Sequence, residues 1–225
     1  TFSSCGATGK SGPSQGQCDT AYAGGQLKGA VALTSGYQRW TVPESGTYRI
    51  ETWGAQGAFN KDNVKGALGA RIRGDFALQK GQVLKILVGQ QGSKSPNAVS
   101  ASGGGGTFVA FDNNTPIIVA GGGGGVGHSG SNAGVPGTTT ECGTKDNRGF
   151  GQPGCGGNGG FSGSLDNING GGGGAGFSGN GLAKKSNSGY PGTSFVNGGT
   201  GGSSRDGNSW GGFGGGGGNH EYSGG

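Results

Sequence analysis

The sequence contains no methionine, few charged residues and no long apolar run. Apolar residues make up 28% of the chain and charged residues 12%, so we do not expect a conventional hydrophobic core over all 225 residues. No stretch approaches the roughly 18 apolar residues that a membrane helix needs, and no secretion signal is visible, which indicates a mature or trimmed start at Thr1. The net charge of +5 is not clustered, which argues against a nucleic-acid partner.

Residue types that carry chemistry are also scarce. The chain has only two histidines, and its carboxylates are scattered. A catalytic base has to be held within hydrogen-bond reach of its target by a rigid environment, and nothing in the pattern predicts such a group. The sequence therefore predicts neither enzymatic activity nor a bound cofactor.

The four cysteines are Cys5, Cys18, Cys142 and Cys155, and the spacing is 13 both between the first two and between the last two. An even number of cysteines with local pairing favours disulfides formed in an oxidising, extracellular compartment. Zinc is the alternative, but a zinc site usually needs close Cys-x-x-Cys or Cys/His pairs, which are missing. One glycosylation sequon is present at Asn113, in a loop that we predict to be a hairpin tip.

Glycine is abundant and unevenly distributed, with 17 glycines in residues 1–100 and 46 in residues 101–225. The first part contains short alternating or apolar runs separated by turn residues, which is typical of an antiparallel β-sandwich. We predict strands at residues 37–42, 47–53, 67–78, 83–88, 107–111 and 117–120. No segment shows a sustained helical period, so the chain is expected to be all-β, with a sandwich portion over 1–120 and a glycine-rich part over 121–225.

The glycine-rich part contains three pentaglycine tracts. They are formed by Gly121, Gly122, Gly123, Gly124 and Gly125, by Gly170, Gly171, Gly172, Gly173 and Gly174, and by Gly214, Gly215, Gly216, Gly217 and Gly218. Flexible linkers are one interpretation. The other is a bundle of polyproline-II segments, which have no internal hydrogen bonds and can bond laterally where glycine permits close approach.

Aromatic residues interrupt the glycine at intervals, at Phe161, Phe177, Phe195, Trp210, Phe213 and Tyr222. A linker does not need such side chains, whereas a folded bundle could use them to bury apolar surface. Ordering glycine costs roughly 0.5–1 kcal/mol more than ordering alanine, so only several segments bonded side by side could offset that cost. We therefore favour an ordered bundle, with the sandwich and a Cys142–Cys155 bridge as its nucleus.

Several motifs resemble, in the same order, the glycine-rich extracellular region of the anaplastic lymphoma kinase and leukocyte tyrosine kinase receptor family. The main ones are Phe2-Ser3-Ser4-Cys5, Gly12-Pro13-Ser14-Gln15-Gly16-Gln17-Cys18, Trp40-Thr41-Val42-Pro43, Ile86-Leu87-Val88-Gly89-Gln90-Gln91-Gly92, Pro116-Ile117-Ile118-Val119-Ala120 and Trp210-Gly211-Gly212-Phe213. The resemblance implies a TNF-like β-sandwich with an inserted bundle of polyproline-II glycine helices. It also implies that Cys5 pairs with Cys18 and that the family's last sandwich strand is missing from this sequence.

Three functions are compatible with these patterns. We expect first a secreted, non-catalytic scaffold whose exposed glycine segments mediate packing with a protein partner or with another copy. The alternative is a receptor ectodomain that recognises a polypeptide cytokine, as the resemblance implies. Binding to a mineral surface such as silica is a third possibility, supported only by the small basic surplus.

Overall fold

The computed structural model describes residues 1–94, 98–127, 134–145, 151–161, 170–183, 188–220 and 225. Within these ranges the secondary structure is one short helix and seven strands. They are α1 (Gln15–Ala21), β1 (Val31–Thr34), β2 (Tyr37–Thr41), β3 (Gly46–Trp53), β4 (Arg71–Leu78), β5 (Val83–Leu87), β6 (Thr107–Phe111) and β7 (Pro116–Ala120). The prediction of an all-β chain with almost no helix is confirmed.

The strands form two antiparallel sheets in a sandwich-like arrangement. One sheet has the order β1-β2-β5-β6-β7, and the other consists of β3 and β4. Because side chains alternate between the faces of a sheet, one face of the five-stranded sheet can bury apolar side chains against β3 and β4. These side chains form the sandwich core, which contains Val42, Leu78, Leu84, Ile86, Val109 and Ile118.

The opposite face of the five-stranded sheet is covered by aromatic side chains from the glycine-rich part. This second cluster, which we call the aromatic junction, consists of Tyr37, Leu87, Phe108, Ala110, Phe195 and Phe213. Phe177 packs against it from the glycine-rich part, and Val119 packs against it from β7. The sheet is therefore covered on both faces, by another sheet on one side and by glycine-bearing segments on the other.

The predicted strands are close to those of the structure, with one informative difference. The strand predicted at 67–78 begins only at Arg71. Instead of pairing with β3, Ala67 and Ala70 donate their N–H groups to the carbonyl oxygens of Gly124 and Gly121, at 3.0 and 2.8 Å. The alternation of apolar and polar residues could not reveal where β4 begins, because Ala67 and Ala70 bond to a glycine tract that is far away in sequence.

Two elements were not predicted, α1 and β1. The helix has no apolar period, and its start is stabilised by a capping box in which Ser14 and Gln17 exchange side-chain and backbone hydrogen bonds. The strand β1 pairs with β2 through a two-residue turn at Ser35 and Gly36, both of which have positive φ. The Ser-x-x-Gln spacing and the Ser-Gly turn were the available signals for these elements.

Candidate functional site

The candidate site is the network of backbone hydrogen bonds among the glycine-bearing segments. One of its buried members is residues 103–106. The N–H groups of these four glycines donate, in order, to the carbonyl oxygens of Gly217, Gly123, Gln90 and Gly214, at 2.9–3.0 Å. The first and fourth donors thus reach one neighbouring segment, and the two donors between them reach two others.

The same three-residue repeat recurs elsewhere in the network. In each case two N–H groups three residues apart donate to one neighbour, at two carbonyls three residues apart. The pairs are Ala55 to Gly105 with Ala58 to Ser102, Ala67 to Gly124 with Ala70 to Gly121, and Gly172 to Gly218 with Ala175 to Gly215. A β-ladder returns to the same neighbour every second residue, so this period of three distinguishes the network from a sheet.

The three predicted tracts all take part in the network, but the third is not straight. Gly214 and Gly215 have φ values of +102° and +80°, and a turn begins at Phe213. Residues with side chains rarely adopt such values, which explains why glycine occupies both positions. The rest of the tract, residues 216–218, then bonds to neighbouring segments.

The segments lie so close together that most side chains would not fit between them. A Cβ added to Gly105 would lie 1.8 Å from the carbonyl oxygen of Phe213, and one added to Gly123 would lie 2.0 Å from that of Ala67. In contrast, a Cβ added to Gly121 would meet no atom within 4 Å. Glycine is therefore required for packing at specific positions of a tract and not at all of them.

The network is attached to the five-stranded sheet by the aromatic junction. The fully buried ring of Phe195 contacts Tyr37 edge-on at 5.2 Å, Phe108 at 5.4 Å and Phe177 in a stacked arrangement at 4.9 Å between ring centroids. The Tyr37 hydroxyl also donates a hydrogen bond to the carbonyl oxygen of Phe195. These contacts join β2 and β6 to the glycine-rich part. Of the other interrupting aromatics, Trp210 is exposed, and Tyr222 lies outside the described residues.

Burial changes the acid–base properties of two side chains at this junction. Desolvation raises the pKa of Tyr37 to about 12, partly opposed by a backbone hydrogen bond from Gly198. The ammonium of Lys85 lies 4.3 Å from the centroid of the Tyr37 ring and donates to Asn114 Oδ1 at 3.0 Å. Burial lowers the pKa of Lys85, and nearby Asp112 acts in the opposite direction. The distance between the Lys85 ammonium and the Tyr37 ring is typical of a cation–π pair.

Two disulfides fix local loops, and the described residues contain no free cysteine. Cys5 is bonded to Cys18 of α1, and Cys142 is bonded to Cys155, with which it also forms an isolated antiparallel bridge. The first disulfide is buried in a small cluster with Tyr22 and Val31, whereas the second lies at the surface. The first therefore connects the N-terminal loop to α1, and the second restrains a loop of the glycine-rich part.

Asn113 is exposed in the loop between β6 and β7. Its Oδ1 accepts a hydrogen bond from the N–H of Thr115 at 3.0 Å. Glycosylation of this exposed side chain stays a prediction.

Two exposed aromatic side chains stand on neighbouring segments of the network. Tyr190 is 58% exposed and Trp210 is 37% exposed. Ser203 lies between them, because Tyr190 N–H donates to its carbonyl oxygen at 2.8 Å and because Ser203 and Trp210 form a β-bridge. We call Tyr190, Ser203 and Trp210 the aromatic face.

The described part of the chain contains no group of three or more His, Cys, Asp or Glu side chains arranged to hold a metal ion. Over the same ranges, no helix combines the length and the apolar character that crossing a bilayer requires.

No known family model matches this chain. It is similar to the leukocyte tyrosine kinase receptor of Mus musculus, with 43% identity over 95 residues. These residues are 40% of this chain but only 11% of the receptor, so the chain spans a small part of the relative that it matches. The match lies in the extracellular part of that receptor and does not include its kinase domain. Together with the disulfides, the similarity identifies an extracellular module or part of an ectodomain.

Proposed function

We propose that this chain is a non-catalytic extracellular scaffold, in which a TNF-like sandwich carries a rigid bundle of polyproline-II glycine segments that mediates protein–protein assembly. The observation that carries the proposal is the three-residue repeat of lateral hydrogen bonds. A polyproline-II chain has three residues per turn and no internal hydrogen bonds, so its N–H groups at i and i+3 point in one direction. Segments in this conformation would produce such a repeat.

Rigidity follows from the number of neighbours that each segment has. The donors of residues 103–106 reach three different segments, so opening one segment breaks bonds to all three. The packing around Gly105 and Gly123 also leaves no space for sliding. A scaffold needs a surface of fixed shape, and such a network supplies it without a large apolar core.

The aromatic face is the part of this surface best suited to a partner protein. Exposed Tyr and Trp side chains contribute strongly to protein interfaces, because each buries a large area and loses little side-chain entropy. Gly189, Gly202 and Gly211 adjoin these three residues in sequence and are buried, whereas both rings are exposed. We propose that another copy of the module docks here.

Two measurements test the scaffold proposal. In hydrogen exchange, we expect the amides of Gly104 and Gly172 to be as protected as those of β5, whereas rapid exchange at both would exclude a rigid bundle. In sedimentation velocity, we expect association that persists at about 1 M salt, since apolar contacts and hydrogen bonds are screened little. Protein that stays monomeric at about 1 mM would contradict assembly.

The aromatic face can be tested separately with a matched pair of variants. We expect Tyr190→Ser/Trp210→Ser to weaken association by about tenfold or more, as loss of interface hot spots does. The control is Trp53→Ser, which removes a ring that is 51% exposed on β3, outside the aromatic face. Equal effects of the two changes would show that the aromatic face has no special role.

The second candidate is a ligand-binding ectodomain segment that recognises a polypeptide. It is supported by the similarity to the leukocyte tyrosine kinase receptor. In this case the wild-type module would stay monomeric and would bind a secreted polypeptide in a pull-down from conditioned medium. Self-association without such binding favours the scaffold, and the reverse favours the ectodomain.

We also propose that Asn113 carries an N-linked glycan when the chain is secreted. Its side chain is exposed in a hairpin loop, where a glycan can be accommodated. A mass shift that is removed by glycosidase and is absent in Asn113→Gln would support this. An unshifted mass after secretion from animal cells would contradict it.

A further inference from the structure

The outer edge of β1 is one end of the five-stranded sheet. Thr34 pairs with Tyr37 across the two-residue turn, and Ala32 pairs with Arg39. Since hydrogen-bonded positions alternate along an antiparallel strand, Val31 and Leu33 direct their N–H and C=O groups away from β2. Such an edge is a template for another strand unless something covers it.

The side-chain amide of Gln15 covers this edge. Its Oε1 accepts the N–H of Leu33 at 2.8 Å, and its Nε2 donates to the carbonyl oxygen of Val31 at 3.1 Å. A residue of a parallel neighbouring strand would offer the same donor and acceptor to these two groups, and an antiparallel strand would offer them from two of its residues. Nε2 also donates to Asp19 Oδ1 at 2.8 Å, which fixes the orientation of the amide along α1.

The helix that carries Gln15 is held firmly against the sheet. Ser14 and Gln17 form the capping box at its start, and the buried Cys18 ties it to Cys5. At the end of the helix, the Tyr22 hydroxyl donates to Gln38 Oε1 on β2 at 2.6 Å. These contacts hold Gln15 beside the edge of β1.

We propose that Gln15 closes the edge of β1 against strand addition, and that β1 of a second copy is the strand that this edge accepts when the Gln15 amide is absent. Antiparallel pairing of two copies centred on Ala32 places Val31 of each opposite Leu33 of the other. The outward donors and acceptors of the edge are then matched by the same set, as a two-fold symmetric contact requires. The contact is short, because β1 has only four residues.

The test compares Gln15→Ala with Gln17→Ala. The second variant alters the same helix turn and the capping box but leaves the Gln15 contacts to β1 in place. By sedimentation equilibrium, we expect Gln15→Ala to dimerise at a concentration about tenfold lower than wild type, and Gln17→Ala to match wild type. At concentrations where it is monomeric, Gln15→Ala should exchange the Leu33 amide about tenfold faster. Because association through a second surface would be added to dimerisation through this edge, all three proteins are compared in the Tyr190→Ser/Trp210→Ser background, which weakens the proposed association through the aromatic face.

Two further variants keep the result decisive. Gln15→Met preserves side-chain length and helix propensity without an amide, so it should dimerise like Gln15→Ala even if the alanine variant folds poorly. Gln15→Ala/Leu33→Pro removes the outward N–H, which β2 does not use, and should return the protein to wild-type behaviour, since proline is tolerated at such edge positions. The proposal is overturned if both Gln15 variants associate as wild type does, or if the proline variant still dimerises.

Discussion

The sandwich and the glycine-bearing network use opposite means to exclude water from their interiors. In the sandwich, alternating side chains of two sheets fill the space, and backbone–backbone hydrogen bonds pair neighbouring strands within each sheet. In the network, the backbones themselves are in contact, and successive N–H groups bond to different neighbours. A core built from side chains is damaged when a side chain is removed, whereas a core built from backbone is damaged when one is added.

The largest effect is expected where the two regions meet. Phe195→Ala leaves a cavity between Tyr37, Phe108 and Phe177, and should lower the free energy of unfolding by about 3–5 kcal/mol. The matched control is Val196→Ala, because Val196 is 43% exposed and outside the junction. Denaturant titration measures both. A small loss of unfolding free energy in Phe195→Ala would show that the sandwich and the network do not depend on each other for stability.

A second effect at the junction depends on pH. The folded pKa of Tyr37 is raised from 10.0 to about 12, so the stability that its neutral form contributes is complete below pH 10 and is lost as pH rises to 12. The shift corresponds to about 3 kcal/mol. Tyr37→Phe should lack this decline, although it also loses the hydrogen bond to Phe195. Parallel stability curves for the two proteins between pH 10 and 12 would contradict the assignment.

A pair of alanine substitutions within one tract tests the backbone core directly. Gly123→Ala forces a methyl group against the carbonyl of Ala67 and should destabilise by about 1–3 kcal/mol. Gly121→Ala has open space, and the reduced freedom of its unfolded chain should leave stability unchanged or slightly higher. Thermal unfolding of both variants measures the difference. Equal melting temperatures would mean that the tract is not closely packed.

The smallest effect is expected on the exposed face of the sandwich. Arg49 and Asp75 are cross-strand partners joined by an ion pair at 2.7 Å, and the hydrogen bond from Arg49 holds the pKa of Asp75 below its usual value. Both groups are solvated, so Arg49→Ala should leave the midpoint of unfolding almost unchanged at neutral pH. The small contribution of the pair should disappear as pH falls through the lowered pKa of Asp75. A large change in the midpoint of unfolding at pH 7 would show that this ion pair contributes more to stability than a solvated pair is expected to.

Strand positions in the sandwich could be predicted because alternation and turn residues are local signals. For the strand at 107–111, both predicted ends agree with the structure, and the ends of the other predicted strands differ by a few residues. The start of β4 was misplaced because Ala67–Ala70 bond to residues 121–124, and no local pattern reports a contact of that separation. β1 and α1 were missed because each is short and depends on contacts with other elements.

The candidate site was predictable in part. Glycine tracts and interrupting aromatics pointed to a packed bundle, and Phe195 and Phe213 do lie in the junction. The contribution of Ala55, Ala58 and Gln90 to the network was missed, because these residues lie among strands that look ordinary in sequence. The division of the chain at residue 120 stays a prediction.

The amino-acid sequence by itself determined the β class, the shortage of apolar material and the places where glycine allows backbones to approach. These properties depend on residue type and on periods of a few positions, which a single chain carries locally. Only the tertiary structure decided which segments became neighbours, which glycines have no space for a methyl group, and which polar side chain covers the edge of β1. Each of these depends on distances between residues far apart in the chain, and such distances exist only after folding.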